Sequence, residues 1–372
     1  MARIPQPTIL RKALASDLVE RLTAPHGIDR YLELIDPTWT VREVRAEVVA
    51  VRRQTPGTVT LTLRPNQAWT GFTAGQHVVV GVEIDGVVHD RCFSLAGSPH
   101  GGDGTLELTV KANPNGRVSK HLVERAAPGM VLRLSEPQGD FVLPTAAERT
   151  ASGEHLVFIS GGSGITPVLS MLRSLVDERH VGPVTFVHYG FTAADVCYRQ
   201  ELAELVDALP GARLLLGLTD APGEGDLEGF FGPEHLAEIT DHPERSQVYL
   251  CGPAPLMASV EAVFADLDLA DQVHLERFGP PPIDPTIAVG DGAVSFARSG
   301  VTAPSVGTVL ETAEAAGLTP AFGCRRGICG TCTSTKTSGQ VRNIVSGDLS
   351  AGDAEPIRLC VSVACGEVVV EL

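Results

Sequence analysis

The spacing of apolar positions changes rhythm several times along the chain. Residues 8–22 (TILRKALASDLVERL) place leucines at Leu10, Leu14, Leu18 and Leu22, a helical stripe. Such a stripe suits a helix packed back on its own protein or a docking helix. From Arg45 onward the pattern is one of short β-branched runs, AEVVAVRR, TVTLTLR, QHVVVGVEI, TLELTVK and MVLRL, separated by Pro-Gly, Gly and Asp-Gly. Close-set strands with turn residues between them predict an antiparallel barrel or sandwich. Near His155 the runs lengthen. HLVFIS, PVTFVHYG, RLLLGLT, QVYLCG and QVHLERF alternate with helical stretches beginning after GGSGITP, at Asp195 and at Pro255. Continuous apolar strands with crossover helices predict a buried parallel sheet.

GPPPIDPT (279–286) holds four prolines in eight residues and reads as an extended, semi-rigid linker. Beyond it lies a compact α+β segment with strand-like ends (TIAVG, GEVVVEL) and one helix (VGTVLETAEAAG). The predicted organisation is an N-terminal helical extension over 1–40, a β-barrel over 41–150, a parallel α/β domain over 151–278, the linker over 279–286 and an α+β domain over 287–372.

Composition narrows the function. The 372 residues are 43% hydrophobic and 20% charged, which is globular composition. The formal charge of −16 argues against nucleic acid or an anionic lipid surface as partner. No apolar run approaches the ~20 residues of a membrane span. The first ten residues also lack the apolar core of a signal peptide. A cytoplasmic protein is expected. The charge is uneven: residues 151–283 hold 6 basic and 20 acidic side chains, whereas 284–372 hold 6 and 9.

Eight cysteines in a cytoplasmic chain are not expected to form disulfides. Cys92, Cys197 and Cys251 are scattered, but five others crowd the last 50 residues. Cys324-x4-Cys329-x2-Cys332, followed by Cys360, has the C-x4-C-x2-C…C spacing of plant-type [2Fe–2S] ligation. Three thiolates converging from one loop require the backbone to wrap the cluster with its N–H groups toward sulfur. Gly323, Gly327 and Gly330 permit that close approach. The fourth ligand is expected from a separate strand, with Cys365 as the competitor to Cys360. A zinc site is the alternative, but it usually pairs two short knuckles and only one is present. With LETAEAAGLTPAFGCRRGICGTC and LCVSVACGEVVVEL, the segment from Leu310 resembles a plant-type ferredoxin, which implies a β-grasp fold.

Two further segments carry nucleotide chemistry. GGSGITP follows a buried strand and opens a helix, where glycines and a helix N-terminus suit a pyrophosphate. Together with CGPAPLM, it resembles the NAD(P)H-binding half of the ferredoxin–NADP reductase superfamily. That resemblance implies that Gly161, Gly162 and Thr166 border the pyrophosphate, and Cys251, Gly252 and Pro253 the nicotinamide. In the barrel, RCFS (91–94) resembles the family's Arg-x-Tyr-Ser/Thr flavin motif. It implies that Arg91 pairs with the FAD pyrophosphate, Phe93 stacks on the isoalloxazine in place of Tyr, and Ser94 bonds near N5. Gly116, Val118 and Ser119 (GRVS) resemble the second flavin element and favour FAD over FMN. QGDFVLP (138–144) would close the barrel under the cofactor. HLERF (274–278) resembles the closing segment, which would bring Glu276 and Phe278 to the nicotinamide side, although Phe278 also suits a plain edge strand. Ser94, Cys251 and Glu276 are thus the catalytic candidates.

Nucleotide preference leans slightly to NADH. Gly190-Phe191-Thr192 stands where an Arg would be expected to meet a 2′-phosphate, which leaves Arg199 as the remaining candidate. The whole order resembles single-chain reductases that feed oxygenases and desaturases. Electrons would pass from NAD(P)H through FAD and the cluster to an iron-containing acceptor, with the linker letting the ferredoxin alternate between donor and acceptor. Within that group the cluster-loop pattern and the N-terminal WTVREVRAEVVAV stretch resemble actinobacterial-type reductases that serve membrane acyl desaturases or alkane hydroxylases, and this resemblance implies a fatty-acyl desaturase or hydroxylase as acceptor and docking at a membrane-bound partner. Arg325 and Arg326 suit either a partner-facing patch or solvated loop charges. A stand-alone reductase of a soluble quinone or flavin, and a zinc-stabilised interaction module, are the alternatives.

Overall fold

The structure, a computed structural model, describes residue 14 and residues 16–24, 26–114, 116–279 and 292–372. Leu10 of the leucine stripe, most of the proline-rich linker and the TIAVG run lie outside the described residues. Two compact units result: Met1–Val88 with Phe93–Glu276, and His89–Cys92 with Arg277–Leu372.

The described residues of the N-terminal extension include two short helices, α1 (Asp17–Thr23) and α2 (Gly27–Leu32). Helix α1 stops short of Pro25, as the restriction on a residue preceding proline favours. Leu22 is 76% exposed, so the end of the stripe faces solvent. Helix α2 is held from the other side. The Asp29 carboxylate accepts from the Val41 N–H at 2.5 Å, and Arg45 pairs with Glu33 at 2.5 Å.

Strands β1 (Val44–Thr55), β2 (Thr58–Pro65), β3 (His77–Ile84), β4 (Val87–Ser94), β5 (Leu106–Lys111) and β6 (Val131–Leu134) form one sheet. Their order is β4-β3-β6-β1-β2-β5. Alternation along β1 buries Val44, Ala46 and Val48, and β2, β3 and β5 add Leu61, Leu63, Val78, Val80, Leu108 and Val110 to the same core. The sheet curls into a half-barrel. A bridge between Leu95, just beyond one edge strand, and Leu108 on the other brings the two edges together. Helix α3 (Arg117–Arg125) lays Val118, Leu122 and Val123 on this core.

After α4 (Ala146–Ser152), β7 (His155–Gly161), α5 (Ile165–Asp177), β8 (Val184–Gly190), α6 (Arg199–Asp207), β9 (Ala212–Leu218), β10 (Leu227–Glu228), α7 (Pro233–Ile239), β11 (Ser246–Cys251), α8 (Ala254–Asp266) and β12 (Val273–Glu276) keep to the predicted β/α alternation. The sheet is parallel, in the order β10-β9-β8-β7-β11-β12. Chain order reverses between β7 and β11, and in open α/β sheets ligands bind beyond the strand ends at such a reversal.

Half-barrel and parallel sheet lie in one unit, and the joint between them is polar. The Tyr198 hydroxyl meets Thr60 at 2.6 Å and also Thr109. Arg173 lies over the Tyr198 ring at 5.2 Å, donates to the Ala96 carbonyl at 2.8 Å and to Glu107 at 2.6 Å, and pairs with Glu201. Phe141 and Leu143 depart from expectation. Gln138 bridges back to His77 of the barrel, but these two side chains pack into the core of the α/β domain. QGDFVLP is therefore a strap joining barrel to sheet.

In the second unit, β13 (Ala293–Phe296), β14 (Val301–Pro304), α9 (Val309–Ala315), β15 (Thr333–Ser338), β16 (Val341–Asn343), β17 (Leu349–Ser350), β18 (Glu355–Arg358), β19 (Ser362–Ala364) and β20 (Val368–Val370) form a five-stranded sheet, β14-β13-β20-β15-β18, and a small β17-β16-β19 sheet. First and last strands of the larger sheet, β13 and β20, run parallel at its centre with α9 packed against the core, a β-grasp arrangement. No helix among the described residues is long and apolar enough to cross a membrane.

The polar joint has a measurable energy. Tyr198→Phe should cost about 1 kcal/mol of stability, and Arg173→Met about 3 kcal/mol because it strands two carboxylates. Denaturant midpoints of the two variants test this ranking; equal midpoints would contradict it.

Candidate functional site

The end of β4 carries the proposed flavin residues. Arg91 is half-buried and donates to the Asp90 carbonyl at 2.7 Å. Phe93 packs against the barrel core, and Ser94 is 4% exposed. The Ser94 Oγ is buried without a hydrogen-bond partner among the described residues. A buried hydroxyl left so normally has a ligand or water to bond. At the start of α3, the Asn113 N–H donates to Ser119 Oγ at 3.0 Å, and a Cβ on Gly116 would lie 2.5 Å from that oxygen. Only glycine fits this cradle. Val118 turns its side chain into the barrel core, so it can offer a ligand only its backbone N–H.

At the chain reversal the two glycine-bearing loops meet. A Cβ on Gly164 would lie 2.1 Å from the Cys251 carbonyl, and one on Gly161 would lie 2.8 Å from Pro253. A Cβ on Gly252 would fall 3.2 Å from the Gly161 nitrogen. Gly162 adopts φ +54° at the entry to α5. Thr166 is buried, its hydroxyl donating to the Ser163 carbonyl at 3.2 Å, so it braces the loop. Cys251 and Glu276 are register partners across β11 and β12, and both are buried. Three of these predicted elements thus converge on the strand ends. Arg199 is the exposed first residue of α6, and Phe278 is 40% exposed just beyond β12.

The cysteine loop has the predicted inward-pointing amides. N–H groups of Arg326, Ile328 and Cys329 donate to Cys324 Sγ at 3.3–3.4 Å, that of Cys324 to Cys329 Sγ at 3.3 Å, and that of Gly327 to Cys360 Sγ at 3.3 Å. Gly327 and Gly330 have φ +74° and +72°, and a Cβ on Gly323 would lie 2.5 Å from Cys329 Sγ. Cys332 and Cys360 are buried, and Cys324 and Cys329 are half-buried. Backbone amides aimed at sulfur suit thiolates that carry the negative charge of a cluster. Among the described residues no three Cys, His or carboxylate groups converge on a single ion position. Cys360 lies in a one-turn segment, Leu359–Val361, rather than in a strand. The Cys365 thiol turns instead to the Val363 carbonyl, at 3.9 Å, and does not compete.

Three domain models match in the same order. They are an oxidoreductase FAD-binding domain over 49–143, an oxidoreductase NAD-binding domain over 158–262 and a 2Fe-2S iron-sulfur cluster binding domain over 296–365. An NADPH oxidoreductase of Mycobacterium tuberculosis is 37% identical over 360 residues, covering 95% of this chain and 91% of its own. The chain belongs to the ferredoxin–NADP reductase family, with a C-terminal [2Fe–2S] domain. A glycine betaine monooxygenase reductase subunit of Chromohalobacter salexigens is 30% identical, covering 90% of this reductase and 96% of its own chain. The crystallised phthalate dioxygenase reductase covers 89% of this chain and 98% of its own, with a TM-score of 0.56 and 23% identity, a likeness of fold. This reductase is therefore an NAD(P)H oxidoreductase of the electron-transfer kind, with domains for FAD, the pyridine nucleotide and a [2Fe–2S] cluster.

Sequence reasoning missed three groups at these sites. His77 Nδ1 stands 3.7 Å from Glu276 Oε1, both side chains almost wholly buried. The ammonium of Lys111, at the end of β5, lies 3.9 Å from where a Gly162 Cβ would be. His188 bonds Ser160 Oγ at 2.8 Å, and burial lowers it from its ordinary value to about 4. None of the three falls in a recognisable motif; only the pairing of strands brings them to the loops.

This geometry has two measurable consequences. Gly164→Ala should weaken NADH binding at least ~10-fold, about 1.4 kcal/mol, while FAD stays bound, as measured by the nucleotide dependence of stopped-flow flavin reduction. Unaltered dependence would contradict the close approach. His188 has a folded-state value below the unfolded one of about 6.5, so between those values only the unfolded chain takes up the proton, and stability falls as pH drops from about 6.5 toward 4. His188→Asn should flatten the slope of unfolding free energy across that window.

Proposed function

We propose that this reductase is the electron-delivery component of an oxygenase system, with an iron-containing fatty-acyl desaturase or hydroxylase as its acceptor. The observation that carries the reading is the cysteine loop, with its amides aimed at sulfur, in one chain with a flavin half-barrel and a nucleotide-binding sheet. Relatives whose names include oxygenase reductase components support it. When bound, the flavin accepts electrons in pairs from the nucleotide, and the cluster hands them on singly.

The residues divide the work. Arg91 would pair with flavin phosphate, since a guanidinium forks onto two oxygens. Phe93 offers a ring face, the buried Ser94 hydroxyl a hydrogen bond, and Gly116, Val118 and Ser119 backbone and hydroxyl contacts at the start of α3. Gly161, Gly162 and Thr166 shape the pyrophosphate loop, and Lys111 adds a cation beside it. Cys251, Gly252, Pro253 and Glu276 line the strand ends where the nicotinamide would enter, with Phe278 just beyond. Cys324, Cys329, Cys332 and Cys360 hold the cluster. In domain terms, 1–40 is the extension, 41–150 the flavin domain, 151–278 the nucleotide domain, 279–286 the linker and 287–372 the ferredoxin domain. The reading leans to NADH. Gly190-Phe191-Thr192 presents no Arg, and the Asp195 carboxylate caps the Thr192 N–H at 3.1 Å nearby.

Cys329→Ser supplies the test. Loss of the NADH-bleachable cluster absorbance should come with loss of electron delivery to the oxygenase component, while ferricyanide reduction by the flavin persists. Intact delivery to the oxygenase without the cluster would sink the relay and favour a stand-alone reductase. Parallel reduction with NADH and NADPH reads the preference.

A further inference from the structure

Edge strand β12 inverts the usual order of burial. His274 and Leu275 are exposed, whereas the last residue of the strand, Glu276, is 2% exposed. Glutamate is almost never buried so deeply unless it is paired. Stability gains nothing from a leucine in water beside a carboxylate in the interior, and such inversions mark functional sites.

A partner comes from the barrel, which lies in the same unit. His77 opens β3 and is itself buried, with Nδ1 3.7 Å from Glu276 Oε1. Its place is fixed by the strap. The backbone of His77 exchanges two hydrogen bonds with Gln138, at 3.0 and 2.8 Å. The next residue, Gly139, has φ +107°, and a Cβ there would lie 2.9 Å from His77 Nδ1. The strap therefore opens with a residue that leaves the imidazole its room. Glu276 is set in turn by β11. It is the register partner of Cys251, whose carbonyl is the atom that a Cβ on Gly164 would strike. The carboxylate thus ends its strand at the chain reversal, beside the glycine loops.

NADH that gives up a hydride is left with a positively charged nicotinamide ring. Its C4–H bond breaks, both electrons leave with the hydrogen, and a new N–H bond forms on the flavin, so the step takes up no proton. An ionised carboxylate beside the ring favours that charge as it develops, and more strongly where water is excluded. Burial alone works against the ionised form, because a carboxylate taken out of water tends to hold a proton. An imidazole at 3.7 Å is within ion-pair range and favours the ionised form.

We propose that His77 is a positioning residue for hydride transfer, which keeps the Glu276 carboxylate ionised and turned toward the nicotinamide. The proposal rests on the reading that the nicotinamide enters beside Cys251 and Glu276.

A double-mutant cycle on the full-length holoenzyme tests it. His77→Phe keeps a ring without its nitrogens, and Glu276→Gln keeps the shape without the charge. Each should lower the limiting rate of flavin reduction in stopped flow on the order of tenfold, with half-saturation by NADH within about twofold of wild type. The double variant should be no slower than Glu276→Gln alone, because His77 acts through the carboxylate. Binding supplies a reading without turnover. In either single variant the oxidised holoenzyme should lose several-fold in affinity for NAD+, whose ring is cationic, and keep its affinity for tetrahydro-NAD, whose ring is neutral. Flavin content and unfolding midpoints are compared first, and His77→Met, which likewise lacks the nitrogens, takes the place of His77→Phe if that variant does not fold. A rate that loss of His77 leaves alone, or lowers by the same factor with and without the carboxylate, overturns the positioning role and leaves the nicotinamide reading standing. Wild-type rate and wild-type NAD+ affinity in Glu276→Gln overturn that reading, and the role of His77 with it.

Discussion

Arg173 is the contact on which the flavin and nucleotide ends of this reductase jointly depend. It sits on α5, the helix opened by the glycine loop, yet it reaches the barrel through the Ala96 carbonyl and Glu107 and returns to α6 through Glu201. With the Tyr198 ring beneath it and only 12% of its side chain exposed, the guanidinium has little freedom. A planar cation with five donors can satisfy such a set, where a lysine ammonium would leave acceptors unmet. Ala96 lies two residues beyond Ser94, and Arg173 lies on the helix just past Gly162 and Gly164. One side chain therefore fixes the strand end meant for flavin relative to the loop meant for nucleotide.

The second constraint is steric. Adjacent β7 and β11 bring the loops at their ends so close that a methyl group on Gly164 would collide with the Cys251 carbonyl. This approach leaves backbone alone at the chain reversal, where open α/β sheets bind their ligands. The same logic recurs in the cluster domain, where the absence of a side chain at Gly323 leaves room for Cys329 Sγ. In both places the glycines matter for what approaches them.

Most of this is legible in the amino-acid sequence, because the chemistry is written in contiguous stretches. The cysteine spacing, GGSGITP, RCFS and the change of hydrophobic period each lie within a dozen residues. The features that escape such a reading are non-local. The QGDFVLP strap reads as barrel, yet Phe141 and Leu143 serve the neighbouring core, since burial there is set by packing between domains. The leucine stripe ends at Leu22, and the helix that follows it, α2, is held by the Asp29 bond to the Val41 N–H, a contact across twelve residues. His77, Lys111 and His188 reach the sites only through strand register and domain packing.

The same distinction governs charge. A net figure sums over distances far longer than any partner can sense in salt. In this chain the acids are concentrated over 151–283, where twenty carboxylates are dispersed on a nucleotide-binding domain, and none lies within 315–347. On the proposed function, the groups that would meet an anionic nucleotide there are local ones, the α5 N-terminus and the Lys111 ammonium. Net charge is a property of the whole chain, and the field at each site is set by the groups beside it.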